Sequence, residues 1–149
     1  MGTVVTEITL TNAGDKVRVE AGVRACARQE TVSARQETVS ARQETVSALV
    51  DTGASMLVIN EELQQRLGLE IEGRRWTTFA DGGRKECGIT EGVNIRWQNR
   101  DCFCSAIVIP GAKSILLGVI PLENMDLIVN PVTQILEGAH GDEVVTLAL

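Results

Sequence analysis

The segment Glu44–Ser55, ETVSALVDTGAS, ends an apolar run with a carboxylate and then turns. Its residues Ala48–Val50 are typical of a short buried strand, and Asp51 follows them directly. A charged side chain at the end of an apolar run is costly unless a neighbouring group uses or neutralises it. Gly53 allows the backbone to turn tightly two residues later. The segment therefore predicts a strand that carries one carboxylate into a constrained turn.

Three successive copies of ARQETVS occupy residues 27–47 and lead into this strand. Alanine and valine recur at spacings of five and two, so they form no single stripe on a helix. An odd period of seven also turns successive copies to opposite faces of a strand. Because lengthening a loop costs little free energy, we expect fourteen of these residues to be a tolerated expansion of a hairpin or its loop. A partner-binding arm is the alternative.

The composition suits one globular domain, residues 1–149, with an aliphatic core. Hydrophobic residues make up 44% of the chain, aromatic residues only 3%, and tyrosine is absent. The net charge of −6 argues against nucleic acid as a partner, because phosphate binding needs a basic face. No segment reaches the roughly 18–20 apolar residues of a membrane span.

Four cysteines without a recognisable secretion signal suggest free thiols in a reducing compartment, so we expect a cytoplasmic location. A zinc site built from Cys87, Cys102, Cys104 and His140 is conceivable, but two cysteines separated by one residue are poorly spaced for zinc. We therefore expect no metal site here.

Alternation of apolar and polar residues predicts several short strands joined by tight turns. One hairpin would turn at Ala13–Asp15, between TEITLTN and KVRVEAGVRA. Two others would turn at Asp81–Gly83 and at Gln98–Arg100. The segments ILEG and EVVTLAL would form two more strands near the end of the chain.

Two short helices are also expected. Asn60 can cap a helix that runs to Leu67 and ends at Gly68. Pro121 can open a second helix as its first residue, where its missing N–H costs nothing. Many short strands with one or two small helices predict a mainly β, compact, barrel-like domain.

Three interpretations of Asp51 compete. Aspartate and glycine are favoured in turns for structural reasons alone. A phosphoryl-accepting aspartate, as in the DKTGT motif of P-type ATPases, would need the lysine that is missing from DTGAS. A catalytic carboxylate would use the apolar strand as a dry floor, and Ser55 could donate a hydrogen bond to it.

The segment Ala48–Ser55 resembles the active-site loop of the retropepsin-like (clan AA) aspartic proteases, and it looks closest to the small stand-alone bacterial members. The family's second mark is a pair of hydrophobic residues before a glycine and a short helix. Ile115–Gly118 followed by Val119–Asn124 matches it. The hairpin with its tip at Ala80–Gly83 takes the place of the family's flap.

The resemblance implies a closed β-barrel and an aspartic endopeptidase that cuts an extended polypeptide. It assigns catalysis to Asp51, Thr52 and Gly53, and substrate binding to Ala54, Ser55, Ala80, Asp81, Gly82, Gly83, Leu116 and Gly118. Apolar pocket walls are expected from Val58, Ile59, Ile89, Leu116 and Ile120. No metal or cofactor takes part in the chemistry of this family.

The family's chemistry needs two aspartates, and this chain has one D-T-G. The resemblance therefore implies a C2 homodimer with one Asp51 from each subunit and with Thr52 tying the two loops together. The terminal strands near TEITL and VVTLAL would join the dimer sheet. We also expect that deleting Ala27–Ser40 leaves this dimer folded.

A dimeric peptide-binding or scaffolding module with the protease fold and little turnover is the alternative. The repeat upstream of Asp51 and the charged segment Arg84–Glu86 beside the hairpin tip favour it.

Overall fold

The computed structural model describes residues 3–28 and 40–146, without the side chains of residues 22–28. Within that part the protein is mainly β, as predicted, with eleven strands and three helices. The elements are β1 Val5–Asn12, α1 Ala13–Arg28, β2 Gln43–Val50, β3 Leu57–Ile59, α2 Glu61–Arg66, β4 Ile71–Thr78, β5 Arg84–Thr90, β6 Val93–Trp97, β7 Arg100–Cys104, β8 Ala106–Val108, β9 Ile115–Leu117, α3 Val119–Asn124, β10 Leu127–Val129 and β11 Leu136–Gly138. None of the helices described there has the length and apolar character needed to cross a membrane.

Nine strands form one open sheet in the order β4-β5-β8-β3-β9-β2-β1-β6-β7, and β10 pairs with β11 separately. The expected closed barrel is wrong, because among the described residues the order ends at β4 on one side and β7 on the other. Closure of the sheet into a barrel would require β4 to pack against the core. Seven of its eight residues are exposed, and no described residue of β4 belongs to the apolar core.

An aliphatic core lies under the middle of this sheet, as the composition predicts. Its fully buried members come from several strands and from the segments that follow α2 and α3; they include Ile8, Leu10, Leu57, Ile59, Leu67, Leu69, Val93, Ile95, Leu117 and Met125. Each such side chain contributes about 1.5–3 kcal/mol by leaving water. This core supports the strands β2, β3 and β9 that carry the site.

The centre of the sheet is the strand trio β2, β9 and β3. β9 lies between the other two, parallel to β2 and antiparallel to β3. The connection 51–56 between β2 and β3 must therefore cross the carboxyl end of β9. This topology brings the D-T-G segment against Gly118, which follows β9 in the chain.

Residues 13–28 form a helix, so the hairpin predicted at Ala13–Asp15 is wrong. The second strand of that hairpin would need a free edge of β1. Over Thr9–Thr11, both edges of β1 are occupied, by β2 on one side and β6 on the other. The alternating valines of KVRVEAGVRA thus have no strand to pair with there, and the segment becomes helical.

Asn12 caps the N-terminus of this helix and also hydrogen-bonds to the residue that follows α2. Its Oδ1 accepts a hydrogen bond from the N–H of Asp15 at 3.1 Å, which is an N-terminal cap. Its Nδ2 donates to the carbonyl of Leu67 at 2.8 Å, just past the end of α2. Asn12 is buried, and these contacts satisfy its polar atoms.

The third copy of the repeat is a structural part of the sheet. Gln43–Ser47 belong to β2 and pair with Glu7–Thr11 of β1. Arg42 of the same copy holds the carboxylate of Asp15 with two side-chain hydrogen bonds, of 2.6 and 2.9 Å. The first copy begins in the last two residues of α1, and residues 29–39 lie outside the described part. Whether the other copies form a partner-binding arm stays a prediction.

Of the remaining local predictions, three are confirmed and one is wrong. The side chain of Asn60 caps α2, and the hairpins β4–β5 and β6–β7 turn where predicted, so these are confirmed. Pro121 is the third residue of α3 and not the first, because α3 starts at Val119 after Gly118. A proline is tolerated there since the first-turn N–H groups have no partner inside the helix.

The end of the chain is held by buried Arg100, whose guanidinium donates to the carbonyls of Met125 and Gly141 at 3.0 and 2.8 Å. The strand predicted for ILEG is confirmed as β11. The one predicted for EVVTLAL is wrong for residues 143–146, where the N–H of Val145 is taken by the carboxylate of Asp126. Residues 147–149 of that segment lie outside the described part.

Candidate active site

Asp51 stands at the end of β2 in a turn held by backbone hydrogen bonds. Its N–H donates to the carbonyl of Leu117 at 3.1 Å, which ties the turn to the end of β9. Its carbonyl accepts from the N–H of Ala54 at 3.1 Å. Its carboxylate Oδ1 accepts from the N–H of Gly53 at 2.9 Å. The side chain is half-buried, so the backbone sets its direction while solvent still reaches it.

Gly118 is the point where α3 and the Asp51 turn touch. A Cβ at this position would lie 2.5 Å from the carbonyl oxygen of Met56 and 2.7 Å from that of Ala54. The φ of Gly118 is an ordinary −86°, so the requirement for glycine is one of space and not of backbone angle. The next two N–H groups, of Val119 and Ile120, each donate at 2.9 Å to the carbonyls of Ala54 and Ser55. The start of α3 therefore holds the turn in place.

A groove of about 660 Å³ lies between the Asp51 turn and the β4–β5 hairpin. Its floor is the turn with the start of β3 and the end of β9, and one wall is β4 together with the residues that follow it. The lining consists of Asp51, Gly53, Ala54, Ser55, Met56, Val58, Arg75, Trp76, Thr77, Thr78, Phe79, Ala80, Ile107, Ile109 and Leu116. A groove of this size that is mainly apolar and has one carboxylate at its floor suits an extended peptide.

The two faces of β4 differ in character. Arg75 stands opposite Cys87 of β5, which is buried, and its guanidinium contacts the sulfur of Met56 at 3.6 Å. Trp76 lies on the other face of β4, where the guanidinium of Arg84 is 5.5 Å from its ring centre, and it also contributes to the groove lining. Because side chains alternate along a strand, Arg75 and Thr77 share the face turned toward the floor of the groove.

Thr77 also has an unsatisfied hydroxyl. Its Oγ1 is buried and has no hydrogen-bond partner among the described residues. A buried hydroxyl without a partner costs about 1–3 kcal/mol. The hairpin therefore carries a polar group whose bonding is incomplete in this arrangement.

Of the residues predicted to form the site, Asp51, Gly53, Ala54, Ser55, Ala80 and Leu116 line the groove. Thr52 is exposed beside it, and Gly118 lies behind the turn as described. Asp81, Gly82 and Gly83 form the hairpin tip, where the N–H of Gly83 is bound to the carboxylate of Asp81 at 2.8 Å, and they lie outside the groove lining.

Two expectations about supporting groups are corrected by the structure. The hydrogen bond expected from Ser55 to the Asp51 carboxylate is replaced by one from the N–H of Gly53. Of the expected pocket walls, Val58 and Leu116 line the groove, whereas Ile59 is fully buried in the core. Ile89 and Ile120 are not part of the groove lining.

Sequence reasoning missed most of the β4 wall, including Arg75, Trp76 and Thr77, and also Ile107 and Ile109. Strand periodicity would have placed Arg75 and Thr77 on one face. Which face turns toward Asp51 follows only from the packing of the hairpin.

A family model described as "gag-polyprotein putative aspartyl protease" matches residues 37–124, which is more than half of the chain. The match contains the Asp51 turn, the β4–β5 hairpin, β9 and α3. The chain thus belongs to the retropepsin-like aspartyl proteases, as the resemblance predicted, and this membership supports protease function in general. No curated protein matches the chain.

Proposed function

We propose that the protein is an aspartic endopeptidase that works as a C2 homodimer, with Asp51 of each subunit supplying one half of a carboxylate pair. The observation that carries this proposal is the half-buried Asp51 carboxylate at the floor of the groove, oriented by the N–H of Gly53 at 2.9 Å. The turn around it is rigid because its backbone bonds run to both β9 and α3. A rigid carboxylate in a peptide-sized groove suits acid–base catalysis.

The need for two subunits rests on the count of motifs. The chain holds a single D-T-G, and two cooperating carboxylates require a second copy. Thr52 and Gly53 are exposed next to Asp51, so a second chain can approach this edge of the turn. An isologous contact on a two-fold axis would bring the two Asp51 side chains together. Participation of β1 and the final residues in a dimer sheet stays a prediction.

The proposed chemistry follows from the repulsion between like charges. Two carboxylates about 3 Å apart cannot both ionise at moderate pH, so the pair keeps one proton. The ionised carboxylate takes a proton from a water molecule, and the water oxygen attacks the peptide carbonyl carbon. The protonated carboxylic acid donates its proton to the carbonyl oxygen. In the tetrahedral intermediate one hydroxyl then returns its proton to the carboxylate that is now ionised, the other carboxylic acid protonates the nitrogen, and the C–N bond breaks, so the pair again holds one proton.

The β4–β5 hairpin is the proposed flap over the bound peptide. It is largely exposed and contacts the rest of the sheet through the far end of β5, so its tip has few packing constraints. The unsatisfied hydroxyl of Thr77 supports a shift of the hairpin on binding, because a shift that gives Oγ1 a partner recovers its lost hydrogen bond. Closure of such a lid excludes water from the chemistry.

The test is the substitution Asp51→Asn, which keeps the shape of the side chain but removes its ionisable group. We expect loss of at least about a thousandfold in hydrolysis of a denatured protein mixture, with an unchanged dimer mass in sedimentation. Wild-type cleavage should be inhibited by pepstatin and should have a bell-shaped pH profile that belongs to the coupled pair.

A mixed dimer provides the control for the two-subunit mechanism. One wild-type subunit paired with one Asp51→Asn subunit should be nearly inactive, because a single carboxylate cannot act as both acid and base. Full activity of the Asp51→Asn homodimer would refute the catalytic role. Absence of any pepstatin-sensitive cleavage by the wild type, with peptide binding retained, would favour the binding module instead.

A further inference from the structure

The groove contains one basic side chain, and the structure gives it no acidic partner. Among the residues that line the groove, Arg75 is the only cation and Asp51 the only anion. No carboxylate of the described residues lies within ion-pair distance of Arg75, and its one polar side-chain contact is the sulfur of Met56 at 3.6 Å. A thioether is a weak acceptor, and Arg75 is exposed, so most of its five guanidinium donors face solvent and are free to bind a ligand.

The neighbourhood on β5 adds to the positive charge. Lys85 stands opposite Thr77 in the register of the hairpin, so it shares the face of Arg75 and Thr77. Lys85 also has no ion-pair partner among the described residues. This face of the hairpin therefore carries two basic side chains in a chain whose net charge is −6, with Arg75 in the groove lining and Lys85 outside it.

We propose that Arg75 selects peptides with an acidic side chain near, but not at, the bond that is cut. This inference rests on the proposed function and names the substrate class. A guanidinium binds a carboxylate through two parallel hydrogen bonds, a geometry that glutamine cannot reproduce. The Asp51 carboxylate repels a second anion at the floor, so the acidic residue lies along the β4 wall, where it displaces the weak contact with Met56.

Arg74 provides a matched control because it is the adjacent residue with the same charge. It is exposed, it points to the opposite face of β4, and it is absent from the groove lining. Arg74→Gln changes the net charge as Arg75→Gln does but leaves the groove intact. Any effect of general electrostatic attraction is therefore common to both variants.

The experiment compares two pools of fluorescein-labelled decapeptides. Both have a randomised apolar centre, and their flanking positions carry glutamate in one pool and glutamine in the other. Binding is measured by fluorescence anisotropy on the Asp51→Asn protein, and cleavage by mass spectrometry on the wild type. We expect the glutamate pool to bind roughly tenfold more tightly and to show a similar preference in kcat/KM. Added salt should reduce this ratio.

In the Asp51→Asn background, Arg75→Gln should bring the ratio of the affinities for the two pools close to one while the glutamine pool still binds. Arg75→Glu should favour the glutamine pool. Arg74→Gln should preserve the ratio. Equal affinity for the two pools, no binding of either pool, or an equal effect of the two glutamine substitutions overturns the inference. Equal cleavage of both pools would refute the inference about Arg75 but would support the proposed function. Selective binding without any cleavage by the wild type would refute the proposed function but not the inference.

Discussion

At the residue scale, Gly118 couples the Asp51 turn to the helix behind it. Carbonyl oxygens of Ala54 and Met56 occupy the space in which any other residue would place its Cβ. The atoms in the way are backbone, and that backbone is already bonded to Val119 and Ile120. A side chain at position 118 must therefore move the turn itself, and Asp51 with it.

We expect Gly118→Ala to lower the free energy of unfolding by about 1–3 kcal/mol through overpacking. Peptide hydrolysis should fall more steeply than stability does, because the turn that directs Asp51 is displaced. Urea unfolding and kcat/KM measure the two effects. Gly73→Ala is the control, since nothing lies within 4 Å of a Cβ there, and it should be close to neutral. Equal behaviour of the two variants would contradict the role assigned to Gly118.

At the level of single elements, α1 is joined by one ion pair to Arg42, the residue before β2. The Asp15 carboxylate accepts hydrogen bonds from the side chain of Arg42 and also from its backbone N–H. The side-chain bond to Arg42 is the main reason why the pKa of Asp15 falls from 3.8 to about 2. Because Asp15 is buried while Arg42 is half-exposed, the pair stabilises the start of α1 moderately.

A lowered pKa means that the folded state favours the ionised form of Asp15. The stabilisation is therefore complete above pH 3.8 and is lost as the pH falls toward 2. We expect Asp15→Asn to cost about 1–2 kcal/mol at pH 7, and this difference from the wild type should shrink between pH 4 and pH 2. Urea unfolding at a series of pH values measures it. Arg18→Gln, which removes a longer and more exposed contact with Asp15, should change little; a difference that stays constant with pH would contradict this account.

At the scale of the whole molecule, the repeat supplies the length of chain between the end of α1 and the start of β2. The N–H of Asn12 bonds to the carbonyl of Arg42 at 2.9 Å, so α1 starts beside the start of β2. Sixteen helical residues at 1.5 Å each carry the chain about 24 Å away. A return over that distance needs at least about seven residues. Residues 29–41 supply thirteen.

Deleting Ala27–Ser40 removes this return path and joins Cys26 directly to Ala41. We expect at least about six of the sixteen residues of α1 to leave the helix, because the shortened chain can return over the length of only about ten helical residues, and circular dichroism at 222 nm would detect the loss. The sheet should survive with little lost stability, because no described side chain of α1 belongs to the apolar core. Deleting only residues 34–40 leaves six connecting residues and should preserve most of the helix. An unchanged helix signal in the longer deletion would refute this path.

Features that depend on a few neighbouring residues could be predicted from the sequence. The apolar run before Asp51, the cap at Asn60 and the Asp-Gly-Gly turn each act through local backbone geometry, and all three lie where expected. Turn chemistry and hydrophobic periodicity depend on residues that are consecutive in the sequence, so these features can be predicted without the tertiary structure.

The rest was decided by which groups the tertiary structure brings together. KVRVEAGVRA alternates like a strand, yet it became a helix because β2 and β6 already occupy the edges of β1. The sheet ends at an exposed β4 instead of closing, and the packing of the β4–β5 hairpin places Arg75 in the groove. Edge occupancy, close backbone approach and the facing of a hairpin are relations between distant segments. The physical reason is that their free energies depend on contacts that form only when the chain is folded.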